Sequence, residues 1–321
     1  MGIPIHFHPS AYPERLRQDW LESHQRRVVP AHCLYESTGQ AQRLLAYARA
    51  WAPIHRGRDY QQLYERAYDL AWQTIGNAPF DYVGYGCGDG LKDANFFGSM
   101  PSTGQLETLR LMDISASLLI EAYQRLQSLK PEAWVVNLTS MSDVLFQQSE
   151  TPQRPLLLSC LGMLPTLGHR HLLPFLTGQL RPGDLLLLSA NLSPSSNPTG
   201  RQHILTQYDN EPAMQWYAGY LIELGLPRDG FSCRATTQDL EGVEGGFRIQ
   251  VMAHLKKELS LSLSGTRIDW AVDDSVDLFR SERWTSNGLR RLFQTHGLQC
   301  LEALESEDQE EGLYLLQVAD G

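Results

Sequence analysis

The residues whose types and spacing point to a ligand lie between Asp81 and Asp93, in the stretch DYVGYGCGDGLKD. A short apolar run, Tyr82-Val83, enters four glycines at alternate positions, Gly84, Gly86, Gly88 and Gly90, and a segment of helical character follows. Glycine accepts positive φ and lets backbone N–H groups approach a ligand with no Cβ in the way, so strand, glycine turn and helix in succession form a nucleotide-type binding turn. The dinucleotide fingerprint needs a third glycine three residues after the second, for close packing of helix on strand; here Asp89 follows Gly84 and Gly86, and Leu91 follows Gly86 and Gly88. A phosphate loop needs Gly-Lys-Ser/Thr after four spacers, which the chain lacks. What remains is the GxGxG turn of S-adenosylmethionine (SAM) dependent methyltransferases, with Gly86, Cys87, Gly88 and Gly90 set against the methionine and ribose parts of the cofactor.

An acidic residue at the tip of the next strand is the expected companion of such a turn, because it accepts hydrogen bonds from ribose hydroxyls. Asp113, at the end of the apolar run Leu109–Met112, is placed for that role. It is also placed to cap the helix expected from Ser115 to Leu129, as aspartate often does.

These residues need a sheet to hold them. From Pro79 the chain alternates strand and helix, with strands expected near Asp81–Gly84, Leu109–Met112, Trp134–Asn137, Leu156–Leu161 and Asp184–Ala190. The last two are continuous apolar runs, as in strands covered on both faces, so a doubly wound α/β sheet is predicted. A helix from Ser286 to His296 and strands at Leu298–Leu304 and Leu313–Val318 would complete seven strands with an antiparallel edge. The acidic link Glu305–Glu311 reads as an exposed hairpin loop. Before the sheet, Tyr12–Thr74 reads as aromatic-rich helices, broken at Trp51-Ala52-Pro53. Asn191–Gly200 reads as a loop or lid, Ala213–Leu224 as a helix, and Arg248–Leu255 with Leu259–Leu263 as a hairpin across Lys256-Lys257-Glu258. The domain boundaries expected are a SAM-binding domain of residues 77–192 and 278–321, and a substrate or lid domain of residues 1–76 and 193–277.

Composition narrows the partners. With 27 Lys and Arg against 37 Asp and Glu, the net charge of −10 argues against a nucleic-acid surface, which needs clustered cations. Five cysteines, odd in number and never in a CxxC pair, suggest neither a disulfide framework nor zinc. The pairs His6/His8 and His169/His171 have no accompanying carboxylate or thiol at metal-site spacing. No apolar run reaches membrane-spanning length and MGIPIHFHPS lacks signal-peptide character, so a cytoplasmic protein without membrane or metal is expected.

With these residues in place, the chain resembles the SAM-dependent histidine Nα-methyltransferase family of ergothioneine biosynthesis. The resemblance runs through Leu34-Tyr35-Glu36-Ser37-Thr38-Gly39, Gly86–Gly90, Asp113, Leu161-Gly162-Met163-Leu164, Leu180–Asp184 and Gln207-Tyr208-Asp209-Asn210. It implies a SAM-binding core with a second domain built from the N-terminus and an insertion. It puts Asn137-Leu138 against adenine and Ser159 among the cofactor contacts. It places Tyr208 in the substrate pocket with Trp51, Met163 where the family holds a carboxylate with asparagine, and Phe279 and Ser281 where it faces imidazole with glutamate and serine. Losing the asparagine and glutamate removes histidine selectivity, because a pocket that hydrogen-bonds its substrate discriminates through those buried polar groups. The expected activity is therefore methyl transfer to another small amine-bearing, amino-acid-like metabolite, in an apolar pocket lined by Tyr208, Trp216, Tyr217 and Trp51. No catalytic base is identified. The competing expectation is a SAM-binding or noncatalytic relative that acts through protein contacts.

Overall fold

The computed structural model describes residues 2–101, 105–140, 154–194 and 198–319. Its strands are β1 (Ile5–Phe7), β2 (Pro79–Tyr85), β3 (Gln105–Asp113), β4 (Glu132–Val135), β5 (Leu156–Cys160), β6 (Leu185–Asn191), β7 (Phe231–Asp239), β8 (Phe247–Leu255), β9 (Leu259–Leu263), β10 (Thr266–Trp270), β11 (Ser275–Arg283), β12 (Leu298–Glu305) and β13 (Glu311–Val318). The α-helices are α1 (Pro13–Gln25), α2 (Thr38–Trp51), α3 (Arg58–Ile75), α4 (Leu91–Gly98), α5 (Ala116–Leu126), α6 (Leu164–Leu167), α7 (His169–Gln179), α8 (Pro198–Thr206), α9 (Glu211–Glu223) and α10 (Ser286–Thr295).

The large sheet has the order β1-β4-β3-β2-β5-β6-β13-β12, parallel from β1 to β6, with β13 antiparallel to both its neighbours. It therefore carries the seven expected strands and an eighth, β1, too short to stand out in sequence. The chain moves outward from β2 to β3 and β4, then returns to β5 on the other side of β2. Crevices at such a switch point, outside the carboxyl ends of the strands, are where doubly wound sheets bind ligands. The strand interiors are leucine-rich because both faces are covered: α3, α4 and α5 pack with one face, α7 and α10 with the other.

Helix α3 shows why the N-terminal stretch docks on this sheet. Tyr60, Leu63, Tyr64, Ala67, Tyr68, Ala71, Trp72 and Ile75 recur at helical spacing and form one buried stripe. Gly76, at φ 66°, ends the helix.

A second core gathers α9 with β7–β11 and the segment around Leu34. Here the strand pairing departs from expectation. β8 pairs with β7 and β11 in a three-stranded sheet, while β9 pairs with β10 across Ser264-Gly265, both at positive φ. That two-residue turn suits a tight hairpin, whereas Lys256-Lys257-Glu258 links two different sheets. The expected division at residue 278 falls inside β11, and β1 and α3 pack with the large sheet. The expected loop at 191–200 gives way to α8 from Pro198, and residues 195–197 of it lie outside the described residues.

Candidate functional site

At the carboxyl ends of β2, β3 and β5 a cavity of about 460 Å³ opens, reaching from the glycine turn to the second core. Gly86, Gly88 and Gly90 all lie in the left-handed region, at φ 63°, 57° and 72°. Their surroundings separate their roles. A Cβ on Gly88 would meet nothing within 4 Å, because that position faces open cavity. One on Gly90 would lie 2.8 Å from the Cα of Ala122, so Gly90 lets α5 close on the turn and stands outside the cavity lining. One on Gly86 would strike the Met163 side chain, with Sδ at 2.2 Å, so Met163 lies across the turn.

Asp113 lines the cavity at the tip of β3. Its Oδ2 accepts from the Gly88 N–H at 2.9 Å and its Oδ1 from the Ser115 N–H at 2.9 Å. Burial pushes its carboxyl upward, and the backbone N–H donors of Ser115, Gly88 and Ile114 oppose the rise. The helix it was alternatively expected to cap is capped by Ser115, whose Oγ accepts from the Leu118 N–H. Asp113 is thus free of the capping role and braces the glycine turn from the cavity side.

Asn137 and Leu138, just past β4, line the same wall. The Thr139 N–H donates to Asn137 Oδ1 at 3.1 Å and the Thr139 hydroxyl does so at 2.6 Å, which fixes the amide orientation and leaves buried Nδ2 with no partner. Ser159 does not reach the cavity. It sits within β5 between Gly84 and Leu187, where the sheet covers it.

Toward the second core, Tyr208, Met163, Phe279, Ser281, Trp51 and Trp216 all line the cavity. The Asn191 amide donates to the Tyr208 hydroxyl at 3.2 Å, which lies 3.1 Å from Ser281 Oγ. Phe279 stacks with Tyr217 at 5.2 Å and meets Trp216 edge-on at 5.3 Å. Tyr217 stands behind Phe279, outside the lining. Tyr208 is carried just ahead of α9, whose N-cap is Asn210, its side chain accepting from the Ala213 N–H at 3.1 Å.

The expectation of an apolar pocket holds for this aromatic wall and fails for the rest. Lys92, Arg283, Gln207, Arg56, Glu310 and Glu311 also line the cavity. Glu310 and Glu311 were expected in an exposed loop, yet they are 3 % and 2 % exposed. The link turns inward because Ser306 Oγ accepts from the Glu310 and Glu311 N–H groups and the Leu192 N–H donates to the Glu310 carbonyl. Glu310 is paired with Arg56, receives Gln207 Nε2 at 2.8 Å, and has His203 at 3.3 Å. Arg283 donates to the carbonyls of Leu192 and Glu310 and to Gln207 Oε1, and its guanidinium lies over the Tyr208 ring. Lys92, following the glycine turn, and Gln207, in the motif with Tyr208, had a sequence signal. Arg56, Arg283, Glu310 and Glu311 are brought in from segments far apart in the chain.

One set of metal-capable side chains is present among the described residues: His32, Cys33 and Glu36, with ligand atoms within 4.8 Å of one another. His32 lies 3.1 Å from Asp19 and 3.9 Å from Glu36. Burial disfavours its cation, but the Asp19 carboxylate beside it, with help from Cys33 and Glu36, outweighs this and lifts it to about 10. All five cysteines are free, and no helix of the described residues is long and apolar enough to cross a membrane.

No protein-family model and no curated protein matches the chain. Among solved structures it is similar to a S-adenosylmethionine-dependent methyltransferase from Clostridium acetobutylicum ATCC 824, at 13 % identity over 87 % of this chain and 98 % of that one, with a TM-score of 0.47. It is also similar to the magnesium protoporphyrin IX methyltransferase of Synechocystis PCC 6803 with bound SAH, at 11 % identity over 89 % and 96 % of the two chains, TM-score 0.45. A third likeness is to the glycopeptide N-methyltransferase MtfA complexed with SAM, at 14 % identity over 79 % and 93 %, TM-score 0.39. The sheet's own strand order, with its antiparallel β13, is that of the class I methyltransferase fold. Nothing in these likenesses singles out the histidine Nα-methyltransferases.

Proposed function

We propose that the chain is a SAM-dependent methyltransferase acting on a small amine-bearing metabolite. One observation carries this: a single cavity runs from the glycine turn, Asp113 and Asn137 to a polar and aromatic pocket formed by Tyr208, Phe279, Ser281 and Arg283. The first end fits the cofactor. Gly88 presents a backbone surface with no Cβ in the cavity, Asp113 offers a carboxylate at the ribose position, and the orphaned Asn137 Nδ2 offers a donor to an adenine nitrogen. Cys87 and Leu138 supply apolar surface beside them.

The cofactor, when bound, supplies a methyl group already activated on a sulfonium. The chain's task is then to bring a nucleophile into line and keep water away. Phe279, Trp216 and Met163 exclude water, while the Asn191–Tyr208–Ser281 chain orients polar groups of the acceptor. The amine preference rests on the carboxylates at the cavity floor, and exclusion of histidine on Met163 and Phe279 standing where the resembled family has polar anchors.

Calorimetry with SAM and S-adenosylhomocysteine (SAH) tests the cofactor, and turnover of labelled SAM against a metabolite pool tests the activity. Absence of binding by either compound at millimolar concentration overturns the whole reading. Binding without turnover would favour a noncatalytic relative acting through protein contacts.

A further inference from the structure

Of the two adjacent carboxylates at the cavity floor, Glu310 is compensated by Arg56, Gln207 and His203. Glu311 is not. It starts β13 opposite Asn191 at the end of β6, and the Tyr64 hydroxyl donates to its Oε1 at 2.8 Å. Its buried Oε2 meets no donor at hydrogen-bonding geometry, although the nearby Ser189 hydroxyl favours its charged form. The nearby cations are occupied elsewhere. Lys92 Nζ donates to the Leu161 carbonyl at 3.1 Å and stands 5.5 Å over the Tyr64 ring, without an ion pair to Glu311. Arg283 spends its terminal nitrogens on Leu192, Glu310 and Gln207. A buried carboxylate without a direct ion pair is costly unless a cation arrives to meet it.

We infer that Glu311 receives the acceptor's ammonium group and takes its proton, so that the substrate is an amine that enters as a cation. Building on the methyltransferase reading above, the step balances as follows. An ammonium N–H proton passes to the Glu311 carboxylate, and the freed nitrogen lone pair bonds to the methyl carbon. The C–S electron pair returns to sulfur, giving SAH and an N-methylammonium product. Tyr64 holds the carboxylate through Oε1, leaving Oε2 for the proton. Burial raises the Glu311 carboxyl, against the opposing pull of Lys92 and the Tyr64 hydrogen bond, which makes it a better proton acceptor than an exposed carboxylate. Lys92, at the mouth of the glycine turn, is a positioning residue that holds the Leu161 backbone.

Sinefungin, which carries an amine where SAM carries its methyl sulfonium, probes this without a known acceptor. Its affinity is compared with that of SAH by calorimetry, in the wild type and in Glu311→Gln, which keeps an acceptor for Tyr64. The wild type is expected to bind sinefungin about tenfold more tightly than SAH, as a charge-assisted hydrogen bond allows. In Glu311→Gln the ratio should fall to about one while SAH affinity stays unchanged. A wild-type ratio near one, or a ratio unaltered by the substitution, overturns the role of Glu311 and leaves the cofactor site standing. Failure of both compounds to bind the wild type overturns the cofactor reading and this inference together. If the glutamine variant does not fold, Glu311→Asp, which retracts the carboxylate by one methylene, must lower the ratio in the same direction.

Discussion

Asp113→Asn separates the two duties of that carboxylate. Its oxygens accept one backbone N–H each, from Gly88 and Ser115, both at 2.9 Å. An amide offers one acceptor oxygen and an NH2, so one of those N–H groups must face a donor. A hydrogen bond to a charged acceptor contributes about 1.5–3 kcal/mol, so the free protein should lose about 2 kcal/mol. At about 2–4 °C per kcal/mol for a chain of this size, melting should fall by roughly 4–8 °C. If the carboxylate also accepts ribose hydroxyls, SAH binding should weaken by a further factor of about 10–100, the same range of free energy. Scanning fluorimetry reads the first effect and calorimetry with SAH the second. Ser115→Ala is the control, since it removes the cap of α5 at a cost of about 1 kcal/mol and should leave affinity alone. A folded Asp113→Asn protein that binds SAH as tightly as the wild type would refute the ribose role.

Gly88→Ala and Gly90→Ala should differ although both replace a left-handed glycine. The former costs about 1–2 kcal/mol of backbone strain but puts a methyl into the cavity, so SAH affinity should drop about tenfold or more; the latter meets the Ala122 backbone and should unfold the turn at a larger cost in melting temperature. Stability against pH should show two limbs set by buried histidines. His24, buried between Trp20 and Trp270, is held down to about 4, so its contribution is present above the unfolded value of 6.5 and lost as pH falls through 4. His32, lifted to about 10, contributes fully below 6.5 and loses that contribution as pH rises through 10. Denaturation at a series of pH values should therefore show His24→Gln flattening the acid limb and His32→Gln the alkaline one; unchanged limbs would contradict both assignments. Phe279→Ala should cost about 3 kcal/mol in urea unfolding, because it empties a site packed by Tyr208, Trp216 and Tyr217, and a loss below about 1 kcal/mol would mean that the wall is loosely packed.

What the sequence determined alone is local. The glycine turn, the strand alternation and Asp113 are legible because each depends on residues adjacent in the chain: positive φ at alternate positions, apolar runs covered on both faces, an acidic residue at a strand tip. The capping alternative at Asp113 needed the structure, since only backbone geometry shows that Ser115 holds the cap. The pairing of β9 with β10 turned on Ser264-Gly265, a two-residue turn less conspicuous than the charged link before β9. Most of the cavity floor was invisible for a physical reason. Glu310 and Glu311 lie in an acidic run that, by composition, belongs in water, and they become buried only where the end of β13 meets β6, Ser306 ties the backbone inward and Arg56 arrives from ahead of α3. A carboxylate's burial depends on what other segments bring to it, and tertiary packing alone made that decision.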